Sequence, residues 1–122
     1  MHKVVLALLL ALVGVALMPT AHSQQYPSGT IRIIAPGPPG SPRDIRARWV
    51  AEQLTSALSQ PVMVDNRAGA GGNIGMDAVA KSKADGYTLG MGQTANLAIN
   101  PSLYSKMPYD ATKDFVPVAL VA

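Results

Sequence analysis

"TIRIIAPGPPGSPRDIRARWVAEQLTSAL", residues 30 to 58, carries a strand, a tight loop and a helix in direct succession. Thr30 to Pro36 is dense in β-branched residues and is stopped by "GPPG", which reads as a buried strand. A helix starts almost at once. Ser41 is placed to cap it, Pro42 suits the first helical position, and Asp44 stands three residues after the cap, a capping box with Asp in place of Glu. Ala47, Val50, Ala51, Leu54, Ala57 and Leu58 then recur at helical spacing and form one apolar stripe. Ile45 and Trp49 fall outside it, as a second apolar strip meant either for a neighbouring loop or for a partner surface.

The same pattern repeats downstream. "PVMVD", Pro61 to Asp65, is a second short strand, followed by a loop with four glycines among residues 69 to 75. From Asn73, "NIGMDAVAKSK" is helical and is expected to end at Asp85 and Gly86, with the glycine past the helix end. "YTLGMG", Tyr87 to Gly92, is a third strand, "QTANLAINPSLY" a polar loop with a helical turn, and "DFVPVALVA" a fourth extended run. Strands alternating with helices of this length imply right-handed crossovers and an α/β fold with a mostly parallel sheet.

In such a sheet the loops leaving the strands' carboxyl ends form the ligand-binding edge. Unpaired N–H groups at helix N-termini and the helix dipole favour an anion there. The glycine loop is therefore either a backbone anion site or a tight strand-to-helix turn that permits close packing.

Composition removes other chemistries. Met1 to Ser23 has a positive start, an apolar run from Val4 to Met18, and Ala21 and Ser23 placed as a cleavage signature, so residues 1–23 read as a signal peptide and 24–122 as the mature part of an exported, periplasmic protein. Both histidines, His2 and His22, lie in that segment, and the chain has no cysteine. Ser/His and Cys/His nucleophiles and the usual zinc ligands are thus missing, and no disulfide framework is available. Gly69, Gly71 and Gly75 miss the dinucleotide-binding spacing by one residue, and no P-loop Lys-Ser/Thr follows. The mature acidic residues are scattered, with no paired-carboxylate spacing. Without Lys3 the mature charge is nine basic minus seven acidic residues, or +2, and aromatics are 5%, a poor match to nucleic-acid binding. Arg43, Arg46 and Arg48 read as a solvated helix face.

Three ordered blocks, "YPSGTIRIIAPGPPGSPRDIRAR", "QPVMVDNRAGAGGNIGMDAVAKSKADGYTLGMG" and "AINPSLYSKMPYDATKDFVPVALVA", resemble the N-terminal part of the Bug family, the periplasmic solute receptors of tripartite tricarboxylate transporters. The resemblance runs from Tyr26 to Ala122. It implies a two-lobed periplasmic binding-protein fold, of which this chain is an incomplete first lobe, with the second lobe and returning chain absent. It also implies a small carboxylate or related solute as ligand, permease subunits in the membrane as partners, and no cofactor, metal or catalytic residue. Carried onto this sequence, the binding loops are Pro38, Pro39, Gly40, Ser41 and Asp44; Asn66, Gly69, Ala70, Gly71, Gly72 and Asn73; and Gln93, Thr94 and Asn96. The resemblance moves the glycine loop toward a binding role.

The departures are Gly37 in place of an aromatic pocket wall, Ser41 in place of a second glycine, Ala68 in place of a proline, and Gly90 in place of a larger apolar residue, a change expected to weaken its strand. The competing reading is a small standalone interaction or structural module derived from a truncated receptor gene. On the receptor reading, a single lobe is not expected to capture solute with high affinity, since ligands are usually enclosed from several sides.

Overall fold

The computed structural model describes residues 25–121, so the signal segment read from residues 1–23 lies outside the described residues. β1 (Ile31–Ala35) forms the middle of the sheet, with β2 (Val62–Asn66) on one side and β3 (Thr88–Gly90) on the other. Both pairings are parallel, with Ile33 opposite Val64 and Leu89. Pairing with β3 runs a residue past its bounds at each end, through Arg32 N–H to the Tyr87 carbonyl (2.8 Å) and Met91 N–H to the Ile34 carbonyl (3.0 Å).

α1 (Pro42–Leu58) returns the chain from β1 to β2, and α2 (Asn73–Ala80) returns it from β2 to β3. The chain leaves β1 toward one side and comes back past it to the other, and right-handed crossovers then put the two helices on opposite faces of the sheet. This explains why β1 is buried on both faces. Ile33 and Ala35 pack with Ala47 and Ala51 of α1, joined by Val50, Leu54, Val62, Val64, Leu89 and Met91. The intervening Ile34 is fully buried on the opposite face. Of the expected stripe on α1, Ala57 alone is solvent-exposed, and the second strip, Ile45 and Trp49, lies outside the core at 61% and 59% exposure.

α1 starts as the sequence predicts. Ser41 is extended, its Oγ accepts the Asp44 N–H at 3.4 Å, and Pro42 sits in the first turn. Asp44 departs from the capping-box pattern, because its Oδ2 accepts the N–H of Gly40 (2.8 Å) rather than that of Ser41.

Three expectations change, and Gly90 gains a packing reason. The glycine loop does not enter α2 directly, because a short 3₁₀ turn, Ala70–Gly72, intervenes. α2 ends at Ala80, not at Asp85 and Gly86; Ser82 Oγ takes the Val79 carbonyl at 2.6 Å and closes the last turn. Gly86, with φ +83°, lies beyond in a separate turn whose carbonyl accepts Tyr26 Oη at 2.7 Å. Gly90 is a packing device: a Cβ there would stand 2.8 Å from Val79 Cγ2, so glycine lets α2 close onto β3. The fourth extended run forms no strand among the described residues. Val116, Val118 and Leu120 alternate with Pro117 and Ala119 in irregular, exposed chain, because Pro117 has no N–H for a ladder and no neighbouring strand covers these side chains.

After β3 the polar loop becomes a π-helical turn, Ala95–Ile99, running into α3 (Asn100–Leu103). This is more helix than the single turn the sequence predicts.

Candidate functional site

The carboxyl ends of β1, β2 and β3 face one edge, and the loops after them meet there. The strand order reverses at β1, so the crevice between the ends of β1 and β3 is the topological switch point where α/β sheets bind ligands. A cleft of about 790 Å³ opens at this place. One wall is the start of α1, with Pro38, Ser41, Arg43 and Arg46; the other is the chain after β3, with Gln93, Thr94 and Leu97. Leu120 and Val121 close one side.

The sequence-derived residues divide into three groups around this cleft. Pro38, Ser41, Gln93 and Thr94 line it. Pro39 and Gly40 are exposed on the loop behind Pro38, and Gly40, at φ +78°, makes the bend that sets Ser41 as the cap.

Asp44 and Asn66 form a lock behind that loop. Asp44 is 3% exposed, and its carboxylate accepts from Gly40 N–H, Arg48 Nε (3.0 Å) and Asn66 Nδ2 (3.0 Å). Asn66 Nδ2 also donates to the Gly37 carbonyl at 3.1 Å. Thus the first loop is fastened to the end of β2. The Arg48 guanidinium, followed by the Gly40 amide, holds the Asp44 carboxyl down at about 2. With these bonds made, both side chains act on the loop's shape.

The third group is the glycine loop. Gly69, Ala70, Gly71 and Gly72 all have positive φ, at 124°, 48°, 65° and 96°. Two N–H groups serve the turn itself, Gly72 to the Gly69 carbonyl at 2.9 Å and Asn73 to that of Ala70. Gly72 is pressed against its surroundings, since a Cβ there would stand 2.9 Å from Asn96 Nδ2 and 3.3 Å from Pro36 Cβ. This geometry serves the turn, and none of residues 69–73 lines the cleft. The glycines allow left-handed turns and close packing on the end of β1, and they bring the α2 N-terminus to the ligand-binding edge.

A buried polar cluster ties this loop to the chain after β3. Asn73 Oδ1 accepts from Asn100 Nδ2 at 2.7 Å and lies 3.0 Å from Tyr109 Oη. Tyr109 Oη also lies 2.6 Å from the Asn96 carbonyl, and its single hydrogen serves that shorter contact best. Asn96 Oδ1 accepts Gln93 N–H at 2.8 Å, which fixes the cleft-lining Gln93. Asn96 Nδ2 is buried with no hydrogen-bond partner among the described residues. Burial, with Asp77 adding to it, pushes the Tyr109 phenol above its usual range.

Four residues of this region escape the sequence reading. Asn100 and Tyr109 act through contacts too distant in sequence for any local pattern. Arg43 and Arg46 read as a solvated face, yet they line the cleft. For Arg43 a signal was present: a cation in the first turn of a helix opposes its dipole, a placement that asks for a local reason. Arg43 Nη1 donates to the Pro36 carbonyl at 2.7 Å, and its stem fills the space beside Gly37, where a Cβ would stand 3.0 Å from Arg43 Cδ.

Comparison with known proteins agrees with this architecture. Residues 46–122 match the family model for the tripartite tricarboxylate transporter family receptor. The chain is 47% identical over 118 residues to BugT of Bordetella pertussis, covering 96% of this chain and 36% of BugT. It is also 40% identical over 117 residues to a Pseudomonas protein encoded between tcbD and tcbE, of which it covers 34%. Among solved structures, MatC of Rhodopseudomonas palustris with bound malate superimposes with a TM-score of 0.74 at 35% identity, covering 78% of this chain and 32% of MatC. An R. palustris protein solved with adipate gives 0.70 at 35% identity, covering 72% and 29%. The chain spans about a third of the length of the curated relatives it matches. By the family match, the shared parallel α/β architecture and the identity to Bug proteins, the chain belongs to the tripartite tricarboxylate transporter receptor family, whose members bind solutes and are not enzymes.

Proposed function

We propose that this chain supplies one face of the ligand site of an exported periplasmic solute receptor. The receptor takes up a small carboxylate and hands it to permease subunits in the membrane. The observation that carries this reading is the cleft at the sheet's switch point, whose lining holds Ser41, Gln93, Thr94 and two arginines and has no acidic side chain. Hydroxyl and amide donors supply directional hydrogen bonds to a carboxylate, and the guanidinium groups supply charge. The start of α1 adds its positive dipole end at the same wall. The named ligands of the similar structures, malate and adipate, are carboxylates and fit that chemistry.

Residues 1–23 act in this reading as the export signal, and residues 24–122 as the N-terminal part of the binding lobe. The contacts are assigned to Pro38, Ser41, Gln93 and Thr94, with the glycine loop at the edge of the site. Asp44, Asn66, Asn73 and Asn96 hold the loops in place. A binding panel tests the reading: the purified mature chain is titrated by NMR with mono-, di- and tricarboxylates and with neutral amides of matched size. Saturable shifts with the acids alone are expected, and no response to any acid would contradict the reading.

A further inference from the structure

We propose that Tyr109 is a positioning residue for the ligand site, a role that rests on the receptor reading: from outside the cleft, its hydroxyl completes the turn that presents Gln93 and Thr94.

The need for such a residue begins at Pro101. In the π-helical turn after β3, the Asn100 N–H donates to the Ala95 carbonyl, five residues back. The Asn96 carbonyl is next in that series, and its donor would be the N–H of residue 101, which proline lacks. Asn96 is fully buried, so water does not fill the gap, and a buried carbonyl without a partner is costly. Tyr109 supplies the missing donor, with Oη 2.6 Å from that carbonyl. Its ring is itself buried and stands edge-on to Phe115, with centroids 5.3 Å apart, which aims the hydroxyl. Burial holds the phenol above its usual range, so it keeps its proton near neutral pH and remains a donor.

Asn96 passes this bond on to the cleft. Its Oδ1 accepts the Gln93 N–H at 2.8 Å, and the Gln93 carbonyl accepts the Leu97 N–H at 2.9 Å. Gln93 is thus held at both backbone groups by the turn that Tyr109 closes. Gln93 and Thr94 line the cleft, whereas Asn96, Pro101 and Tyr109 do not. Departures from regular α-helical bonding of this kind are frequent at functional sites. Groups fixed before a ligand arrives bind it more tightly, because ordering them on binding subtracts from affinity. Loss of the Tyr109 hydroxyl therefore loosens the turn and weakens binding, while every group that lines the cleft is kept.

The test titrates succinate, as probe, by NMR into the mature chain and into Tyr109→Phe, Pro101→Ala and the double variant, with spectral dispersion verifying that each is folded. Tyr109→Phe is expected to weaken succinate binding by about threefold to tenfold, the net worth of one hydrogen bond. It should also speed amide exchange at Gln93 and Leu97 more than at Ile31 and Arg32, whose N–H groups are bonded within the sheet. Overall destabilisation alone would raise exchange throughout and leave the affinity of the folded chain unchanged. Pro101→Ala returns an N–H to the series, so in the Tyr109→Phe background it should recover most of the lost affinity. Equal affinity in wild type and Tyr109→Phe, exchange that rises equally in turn and sheet, or a double variant as weak as Tyr109→Phe overturns the role of Tyr109 and leaves the receptor reading standing. No saturable response in the wild type overturns both.

Discussion

Asp44 is a helix-start residue with its carboxylate turned back onto the preceding loop, where Gly40, Arg48 and Asn66 donate to it. Its folded pKa of about 2 lies below the ordinary aspartate value near 3.9, so the ionised form is favoured by folding. The contribution is full above about pH 4 and is lost as pH falls toward 2. Acid unfolding followed by circular dichroism should show Asp44→Asn flattening the stability profile across that interval, relative to wild type. Gly75 offers a second residue-level test. A Cβ there would lie 2.8 Å from Pro36 Cβ and 2.9 Å from the Arg67 carbonyl, both on relatively fixed chain. Gly75→Ala is therefore expected to destabilise by about 1–3 kcal/mol in denaturant titration, the range for overpacking. The cap role of Ser41 was readable from sequence because capping is local. The Asp44 to Asn66 bond was not, since it joins groups 22 positions apart.

At the level of elements, the three strands and two long helices follow from apolar periodicity and from turn residues, and β1 decides the arrangement because it is apolar on both faces. Replacing Ile33, whose side chain is 1% exposed against Ala47 and Ala51, with alanine should cost about 2–5 kcal/mol in the same titration. Sequence reading overran α2 because Lys81, Ser82 and Lys83 continue a helical composition; the local bond from Ser82 to Val79 ends it. It also reads residues 114–122 as a fourth extended run on composition; the described part, 114–121, forms no strand, since a strand needs a partner. The coupling between the glycine loop and the chain after β3 was out of reach, since it runs through Tyr109, 36 positions from Asn73. Tyr109→Phe removes the hydroxyl and leaves the Asn96 carbonyl unpaired, at an expected cost of about 1–3 kcal/mol. Faster amide exchange at both the glycine loop and residues 93–96 would report that coupling; faster exchange at one of them alone would argue against it.

For the whole molecule, the family was legible because three motif blocks stand in order, and the matched relatives and structures agree with it. The site was legible as an edge and three loops, but not as a cleft with charge in its wall, because helix faces cannot be ranked until the helix is docked. The central claim is that a carboxylate binds where the ends of β1 and β3 diverge, between the start of α1 and the chain after β3. The groove beside β2, bordered by Arg48, Glu52 and Met63, also carries a cation and serves as the internal control. Residue-resolved amide shifts of the mature chain titrated with succinate test the claim most directly. The account predicts saturable changes at Gly40, Ser41, Arg43, Arg46, Gln93 and Thr94, with residues 62–64 unaffected; saturable changes confined to the β2 groove, or no saturable change at all, would contradict it.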